Sequence, residues 1–362
     1  MRTRTILFGL CFVLISSIAQ AQNWTLVWSD EFEGDTLNTD MWSYMIGDGT
    51  EYGISGWGNN ELQYYREGNV TVSDGKLTIT AKRENIQNSQ FTSGRIRTKG
   101  TGDWTYGRFT FSAKMPTGQG LWAAIWMLPT DEAYGGWAAS GEIDIMEYLG
   151  HETDKVHGTL HYGAAWPNNQ YKGTHYVTDG NSFDSEFHHF ALEWEPGEMR
   201  WYVDSVLYQT QGQGDWYTGT IDFPAPFDKP FHLLLNLAVG GNWPGNPDIS
   251  TQFPQEMVLD YVRIYQDETL GIPHHESGVE LRQNHPNPVK GYTNISFSLT
   301  SGEHVVIEMF DAMGRKVKSL SDQYFGAGSH RVGVEIHKLE PGHYTYRMRA
   351  GKHSAIRKML IL

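Results

Sequence analysis

Seven residues constrain this chain more than any other stretch: Gly141-Glu142-Ile143-Asp144-Ile145-Met146-Glu147. Three carboxylates fall within six residues, separated by Ile, Ile and Met. Side chains on a strand alternate between faces with period two, so acid alternating with a β-branched residue reads as a strand. Glu142 and Asp144 then share one face, and Ile143 and Ile145 point into a core. Glu147 has the wrong parity. Plain alternation sends it to the core face, where an unpaired carboxylate is costly. One extra residue in a β-bulge restores the parity and returns Glu147 to the face of the other two. A helix, turning about 100° per residue, would scatter the three acids around its axis. The pattern predicts a bulged strand carrying a row of three acids.

The rest of residues 22–267 is written in short alternating runs and turns, with little helical periodicity. Strands are predicted at 24–28, 70–72, 77–80, 107–114, 121–128, 188–194, 199–203, 231–239 and 258–265. Ser73-Asp74-Gly75-Lys76 joins the second and third as a hairpin turn. The 121–128 strand carries Trp122 and Trp126 on one face. Many short strands without intervening helices predict an all-β fold, a two-sheet β-sandwich of jelly-roll type. With 13 Trp and 19 Tyr, such a sandwich can line a concave surface with rings that stack on flat ligands. For any single Trp, a place in the core is the commoner one.

Residues 1–21 read as a secretory signal: Arg2 and Arg4 at the start, an apolar run at 6–15, and Ala19-Gln20-Ala21 at the cleavage site. The apolar run is too short to span a bilayer. Cys11, the only cysteine, lies inside it, so the mature chain is expected to have no disulfide, thiol chemistry or cysteine metal site. Residues 268–278 have linker composition, and 279–362 form a second, smaller β module with strands at 293–299 and 305–310 and a turn at Asp311-Ala312-Met313-Gly314. A formal charge of −14 argues against nucleic acid or an anionic membrane as partner and suits a neutral substrate. A monomer is the expected state.

Two carboxylates flanking a glycosidic bond are the minimum for its hydrolysis, one attacking or activating water and the other protonating the leaving oxygen. The backbones of Glu142 and Glu147 would lie about 13–16 Å apart on an extended strand. Long side chains leaning together reach either the roughly 5–5.5 Å of a retaining enzyme or the wider gap of an inverting one, so spacing leaves the stereochemistry open. Asp144 between them raises the proton affinity of its neighbours. The bland alternatives are a solvated strand face or a cation site. Trp122, Trp126, Trp137, Trp166 and Trp243 supply rings that stack on sugars, and His157 and His161 share a strand face just after the acids. No Ser/His/Asp grouping, phosphate loop or His-Glu-x-x-His motif competes.

Ser140-Gly141-Glu142-Ile143-Asp144-Ile145-Met146-Glu147 resembles the active-site signature of glycoside hydrolase family sixteen in its bulged Glu-x-Asp-x-x-Glu form. The resemblance extends over residues 24–266. It includes Trp57-Gly58-Asn59-Asn60-Glu61-Leu62-Gln63-Tyr64-Tyr65, Thr92-Ser93-Gly94-Arg95-Ile96, Gly120-Leu121-Trp122-Ala123-Ala124-Ile125-Trp126-Met127-Leu128-Pro129, His157-Gly158-Thr159-Leu160-His161-Tyr162-Gly163 and Asn236-Leu237-Ala238-Val239-Gly240-Gly241-Asn242-Trp243-Pro244-Gly245. It is to the laminarinase branch, which implies a concanavalin-like jelly roll with a concave cleft and endo-wise, retaining cleavage of β-1,3-glucan. Pro is frequent in the family where Ala123 stands here.

By the same resemblance Glu142 is the nucleophile, Glu147 the acid/base, and Asp144 the residue that holds and tunes the nucleophile. Asn60, Arg95, Trp122, Trp126, Trp137, His161 and Trp243 line the cleft. No cofactor is implied for catalysis. A structural calcium is, held by the backbone oxygens of Glu31 and Gly75 and the side chain of Asp260, a donor set that suits that ion. Mixed-linkage β-1,3-1,4-glucanase activity is a sibling reading, and a non-catalytic glucan-binding lectin is one from another class. Residues 279–362 resemble the C-terminal sorting domain of type IX secretion, carried by Leu281-Arg282-Gln283-Asn284-His285-Pro286-Asn287-Pro288, Phe310-Asp311-Ala312-Met313-Gly314-Arg315-Lys316-Val317 and Leu339-Glu340-Pro341-Gly342-His343-Tyr344. That implies a partner in the export machinery and a secreted or surface-held product.

Overall fold

The computed structural model describes residues 24–219, 221–267, 279–299, 301–311, 315–336, 339–351 and 353–362. The segments expected as signal (1–21, with Cys11) and linker (268–278), and the turn residues 312–314, lie outside the described residues. The chain divides into two compact units, Met1–Thr269 and Leu270–Leu362.

In the first unit the strands are β1 (Trp24–Asp30), β2 (Ser43–Tyr44), β3 (Gln63–Tyr65), β4 (Val70–Ser73), β5 (Lys76–Ala81), β6 (Phe91–Ser93), β7 (Arg95–Arg97), β8 (Asp103–Trp104) and β9 (Gly107–Lys114). They continue with β10 (Leu121–Pro129), β11 (Glu142–Leu149), β12 (Lys155–Tyr162), β13 (Gln170–Val177), β14 (His188–Glu195), β15 (Glu198–Val203), β16 (Val206–Gly212), β17 (Phe231–Val239) and β18 (Gln255–Asp267). A front sheet runs β13-β12-β11-β10-β17-β7-β2, with β8 also on β17. A back sheet runs β16-β15-β14-β9-β18-β5-β4, with β1 also on β18. The acid row lies on β11, third from the edge of the front sheet.

Alternation decides what fills the space between the sheets. Ile143, Ile145, Met146 and Leu160 of the front sheet are buried in one cluster with Phe109, Phe111, Leu192, Trp194 and Trp201 of the back. All nine residues of β17 are buried, because neighbouring strands flank it in the middle of the front sheet. At the hairpin from β4 to β5, Asp74 (φ 51°) and Gly75 (φ 68°) both adopt the left-handed region, as a tight two-residue turn of this hand requires. Six of the 13 Trp are buried: Trp42, Trp57, Trp104, Trp194, Trp201 and Trp216. The five that the sequence assigns to a stacking surface are all among the other seven. β13 carries no buried residue, which is why its sequence shows no core-facing alternation.

The second unit holds β19 (Val279–Leu281), β20 (His285–Lys290), β21 (Tyr292–Leu299), β22 (Glu303–Phe310), β23 (Lys316–Phe325), β24 (Gly328–Glu335), β25 (Gly342–Ala350) and β26 (His353–Ile361). Their order is β19-β21-β20-β26-β25-β22-β23, with β24 also on β21. Ile295, Phe297, Val305, Ile307, Met309, Tyr346 and Met348 are among the residues of its separate core.

Candidate active site

β11 is bulged where parity demanded it. Against β10, Met146 pairs with Ile125 and Asp144 with Trp126, leaving Ile145 as the extra residue. Against β12, Glu147 pairs with His157 and Asp144 with Thr159, so Ile145 and Met146 together oppose Gly158. Ile145 and Met146 are both buried in the core cluster, and Glu147 emerges on the face of Glu142 and Asp144. A bulge frees backbone groups from the ladder, and a buried carbonyl needs a donor. Here the indole Nε1 of Trp201, reaching across from the back sheet, donates to the Asp144 carbonyl at 2.9 Å. Gly158 makes room for that reach: a Cβ there would lie 2.6 Å from Trp201 Cδ1 and 2.5 Å from the Tyr208 hydroxyl.

Each glutamate is held by one indole. Trp137 Nε1 donates to Glu142 Oε2 at 2.8 Å, and Trp122 Nε1 donates to Glu147 Oε1 at 3.2 Å. Each acid keeps its second oxygen for chemistry. His161, opposite Glu142 on β12, sets its Nε2 at 3.7 Å from Glu142 Oε1 and 3.3 Å from Asp144 Oδ2. The latter is an ion-pair distance without hydrogen-bond geometry, so buried Asp144 Oδ2 has no hydrogen-bond partner among the described residues.

Burial raises the proton affinity of both glutamates, and the Asp144 charge raises it further. Glu142 is pushed up to about 7, restrained by His161, the Trp137 N–H and Arg95. Glu147 is raised well above the carboxylate range, with His161 and the Trp122 N–H opposing. Burial works against a charge on His161 but is outweighed by Asp144, Glu142 and Glu147, which lift it to about 9. Glu142, Asp144 and His161 bring donor atoms within 4.8 Å of one another.

Two aromatic ladders flank the acids. Beside Glu142 run Trp137, His161 and Tyr171, with ring centroids 5.6 and 5.9 Å apart. Beside Glu147 run Trp122, Trp243, His157 and His175, at 5.5, 4.9 and 5.8 Å. The Trp166 ring is exposed, and its backbone N–H donates to the Trp137 carbonyl at 2.8 Å. Asn60 belongs to the loop system that carries Trp243, its Nδ2 donating to Asn242 Oδ1 at 2.8 Å. Arg95 is buried rather than open to the cleft. Its guanidinium stacks 4.3 Å from the Trp57 ring and 4.9 Å from that of Trp126.

Trp126 Nε1 donates to Asn236 Oδ1 (2.7 Å), Asn236 Nδ2 to the Tyr65 hydroxyl (3.3 Å), and that hydroxyl to Glu61 Oε2 (3.2 Å). Sequence reasoning assigned no role to Glu61, Tyr65, Asn236 or Tyr171. For Asn236 a signal existed: it is the one polar residue in the buried run 233–239. The expected calcium ligands lie on β18 and at the ends of the two strands that pair with it, β1 and β5. Glu31 follows β1, Asp260 is the extra residue where the β18–β9 register shifts, and Gly75 turns the hairpin into β5, which pairs with β18. Arg263 occupies the Glu31 carboxylate at 2.9 and 2.8 Å, so a cation there would draw on the backbone oxygen of Glu31. Hard oxygen donors around a turn fit calcium. Two surface cavities lie elsewhere and include none of the acids.

Residues 58–263 match the family described as glycosyl hydrolases family 16, and residues 284–362 match the secretion system C-terminal sorting domain. A glucan endo-1,3-beta-glucosidase A1 of Niallia circulans is 44% identical over 259 residues, covering 67% of this chain and 38% of the relative. A beta-glucanase of Rhodothermus marinus is 42% identical over 266 residues, covering 68% of this chain and 87% of the relative. Among solved structures, the catalytic domain of an endo-1,3-beta-glucanase (laminarinase) from Thermotoga petrophila RKU-1 superposes with a TM-score of 0.64 at 40% identity, over 68% of this chain and all of that one.

Proposed function

The chain belongs to the glycosyl hydrolases of family 16, and from that premise we propose that it is a secreted, retaining endo-β-1,3-glucanase. Glu142, ionised, attacks the anomeric carbon while Glu147 gives its proton to the departing glycosidic oxygen. The carbon–oxygen bond to the leaving glucan breaks and an ester to Glu142 forms. A water molecule then gives a proton to Glu147 and attacks the same carbon, releasing Glu142 and a product of unchanged anomeric configuration. Asp144 and protonated His161 act on Glu142 through charge. Trp122, Trp126, Trp137 and Trp243 hold the sugar rings, Asn60 steadies the Trp243 loop, and Arg95 braces Trp126 from behind.

The observation that carries this reading is the placement of two glutamates on one face of the bulged β11, each held by a single indole with buried Asp144 between them. Burial and the Asp144 charge raise the proton affinity of both glutamates, as a proton donor requires, and Glu142 lies near 7, where an ionised fraction exists at neutral pH. The names of the Niallia circulans and Thermotoga petrophila proteins support β-1,3-glucan as the substrate. Residues 279–362 support export through the type IX machinery, with residues 1–21 as signal peptide. Calcium at Glu31, Gly75 and Asp260 would stiffen the back sheet and take no part in the chemistry.

Product analysis on laminarin, lichenan and a β-1,4-glucan, with anomeric proton NMR of the first product, tests the proposal. Laminarin left intact would overturn the substrate, and an inverted first product would overturn the covalent route. Preferential cleavage of lichenan would favour the mixed-linkage reading. Binding without turnover would favour a lectin.

A further inference from the structure

The outer face of the back sheet is unlike an ordinary solvated surface. Phe109, Phe111, Phe190, Leu192, Val262 and Ile264 point into the core, so the residues between them on β9, β14 and β18 face outward. Cross-strand register sets these in rows: His189–Ser112–Tyr261, Ala191–Thr110–Arg263 and Glu193–Arg108–Tyr265. Small side chains at Ser112, Thr110 and Ala191 make a floor between taller walls. Trp24, Arg108, Thr110, Tyr261, Arg263 and Tyr265 line a cavity of about 240 Å³ there. This is below the roughly 300–1,000 Å³ of a site that swallows a drug-sized ligand, and suits one sugar ring of a passing chain.

The walls are fixed. Arg263 lies 3.8 Å from the Tyr261 ring centroid and is clamped by both oxygens of Glu31. The Tyr261 hydroxyl is 3.0 Å from His189 Nδ1, and Arg108 donates to Glu193 at 3.0 Å. Trp24 and Tyr265, by contrast, stack on no ring or cation among the described residues. Arg263 is paired with Glu31, and Arg108 shares Glu193 with Arg200, which also meets Glu195 and Glu198, so the trough offers donors without a net positive field. Residues 24–267 carry 33 Asp and Glu against 14 Lys and Arg, which repels anions further. Neutral, hydroxyl-rich and flat-faced is the chemistry this surface matches. Aromatic faces take the apolar side of a sugar ring, and planar guanidiniums and hydroxyls take its edge.

We propose that this trough is a second, non-catalytic binding site for a neutral polysaccharide. It lies on the opposite sheet from the acids and holds a segment of the glucan that the acid row cleaves. The choice of β-1,3-glucan rests on the function proposed above; the trough does not. It keeps the enzyme on an insoluble polymer between cleavage events.

The test uses the full chain carrying Glu142→Gln, so that bound polymer is not digested, and measures retention on insoluble β-1,3-glucan. Adding Trp24→Ala and Tyr265→Ala is expected to weaken retention about ten-fold, the effect of losing two ring contacts. With Glu142 intact, the same two substitutions are expected to leave the unfolding midpoint and turnover of a short soluble β-1,3-gluco-oligosaccharide unchanged. Unchanged retention overturns the proposal, and so does an equal fall in retention and oligosaccharide turnover. Failure of the native chain to cleave the oligosaccharide would instead refute the role of the acid row, with retention still reporting on the trough.

Discussion

Replacing Trp137 with Phe removes one hydrogen-bond donor and keeps an aromatic ring, though a smaller one. The Trp137 indole donates to Glu142 Oε2 at 2.8 Å. A hydrogen bond to a charged acceptor contributes about 1.5–3 kcal/mol, and Trp137 is 39% exposed, so the lower end applies. That is about one pKa unit. Removing a donor to the carboxylate favours its neutral form, so Glu142 moves upward from about 7. At pH 7 its ionised fraction falls from about one half to about one tenth, and kcat/KM falls about five-fold. The proposed nucleophile reacts ionised, so the loss is expected to be largest on the acidic limb and to disappear as pH rises. A pH profile of kcat/KM on a soluble β-1,3-gluco-oligosaccharide reads this as a limb displaced upward by about one unit, the limb belonging to the coupled carboxyl pair. A uniform fall with an unmoved limb would refute the reasoning and leave Trp137 with stacking alone.

Glu147→Ala is expected to lower kcat about 10²–10⁴-fold on glucan, with most of the loss recovered on a substrate whose leaving group needs no proton. Equal losses on both substrates would contradict its role as acid. His161 is raised from 6.5 to about 9 in the folded chain, so its contribution is fully present below pH 6.5 and is lost as pH rises through 9. His161→Gln therefore lowers the unfolding midpoint most at pH 6 and least at pH 10, whereas a difference independent of pH would count against the charge argument. Gly158→Ala drives a methyl into Trp201 and is expected to cost about 1–3 kcal/mol in urea unfolding, together with activity. Near-native stability would mean that Trp201 does not pin the bulge. Chelation with EDTA is expected to lower the thermal midpoint without changing the pH profile, calcium restoring what magnesium does not. No shift in midpoint would remove the calcium site.

The bulge was legible because a carboxylate at Glu147 on the core face would be too costly, leaving one solution. The strand 231–239 matched β17 residue for residue, since a continuous apolar run has no other use in a sandwich. β13 left no trace in the pattern because an edge strand whose side chains all meet solvent has no face to encode. The burial of Arg95 and the relay from Trp126 to Glu61 were equally hidden. They depend on which rings close over which charge, a matter of three-dimensional packing rather than spacing along the chain. Asn236 announced itself by interrupting an apolar run, and its partners came only with the fold.

The β11 bulge also fixes where this strand can change length. On both sides of Ile145 the ladders to β10 and β12 are in register, so the surplus residue is confined to one point. Removing Met146 would leave Glu142, Asp144 and the following Glu on one face by plain alternation, with His157 and Ile125 still facing their neighbours. A deletion anywhere else in the strand would slide every later side chain to the opposite face. The bulge is therefore a joint at which insertions and deletions can accumulate without dismantling the site, changing the reach between the two glutamates and nothing beyond it.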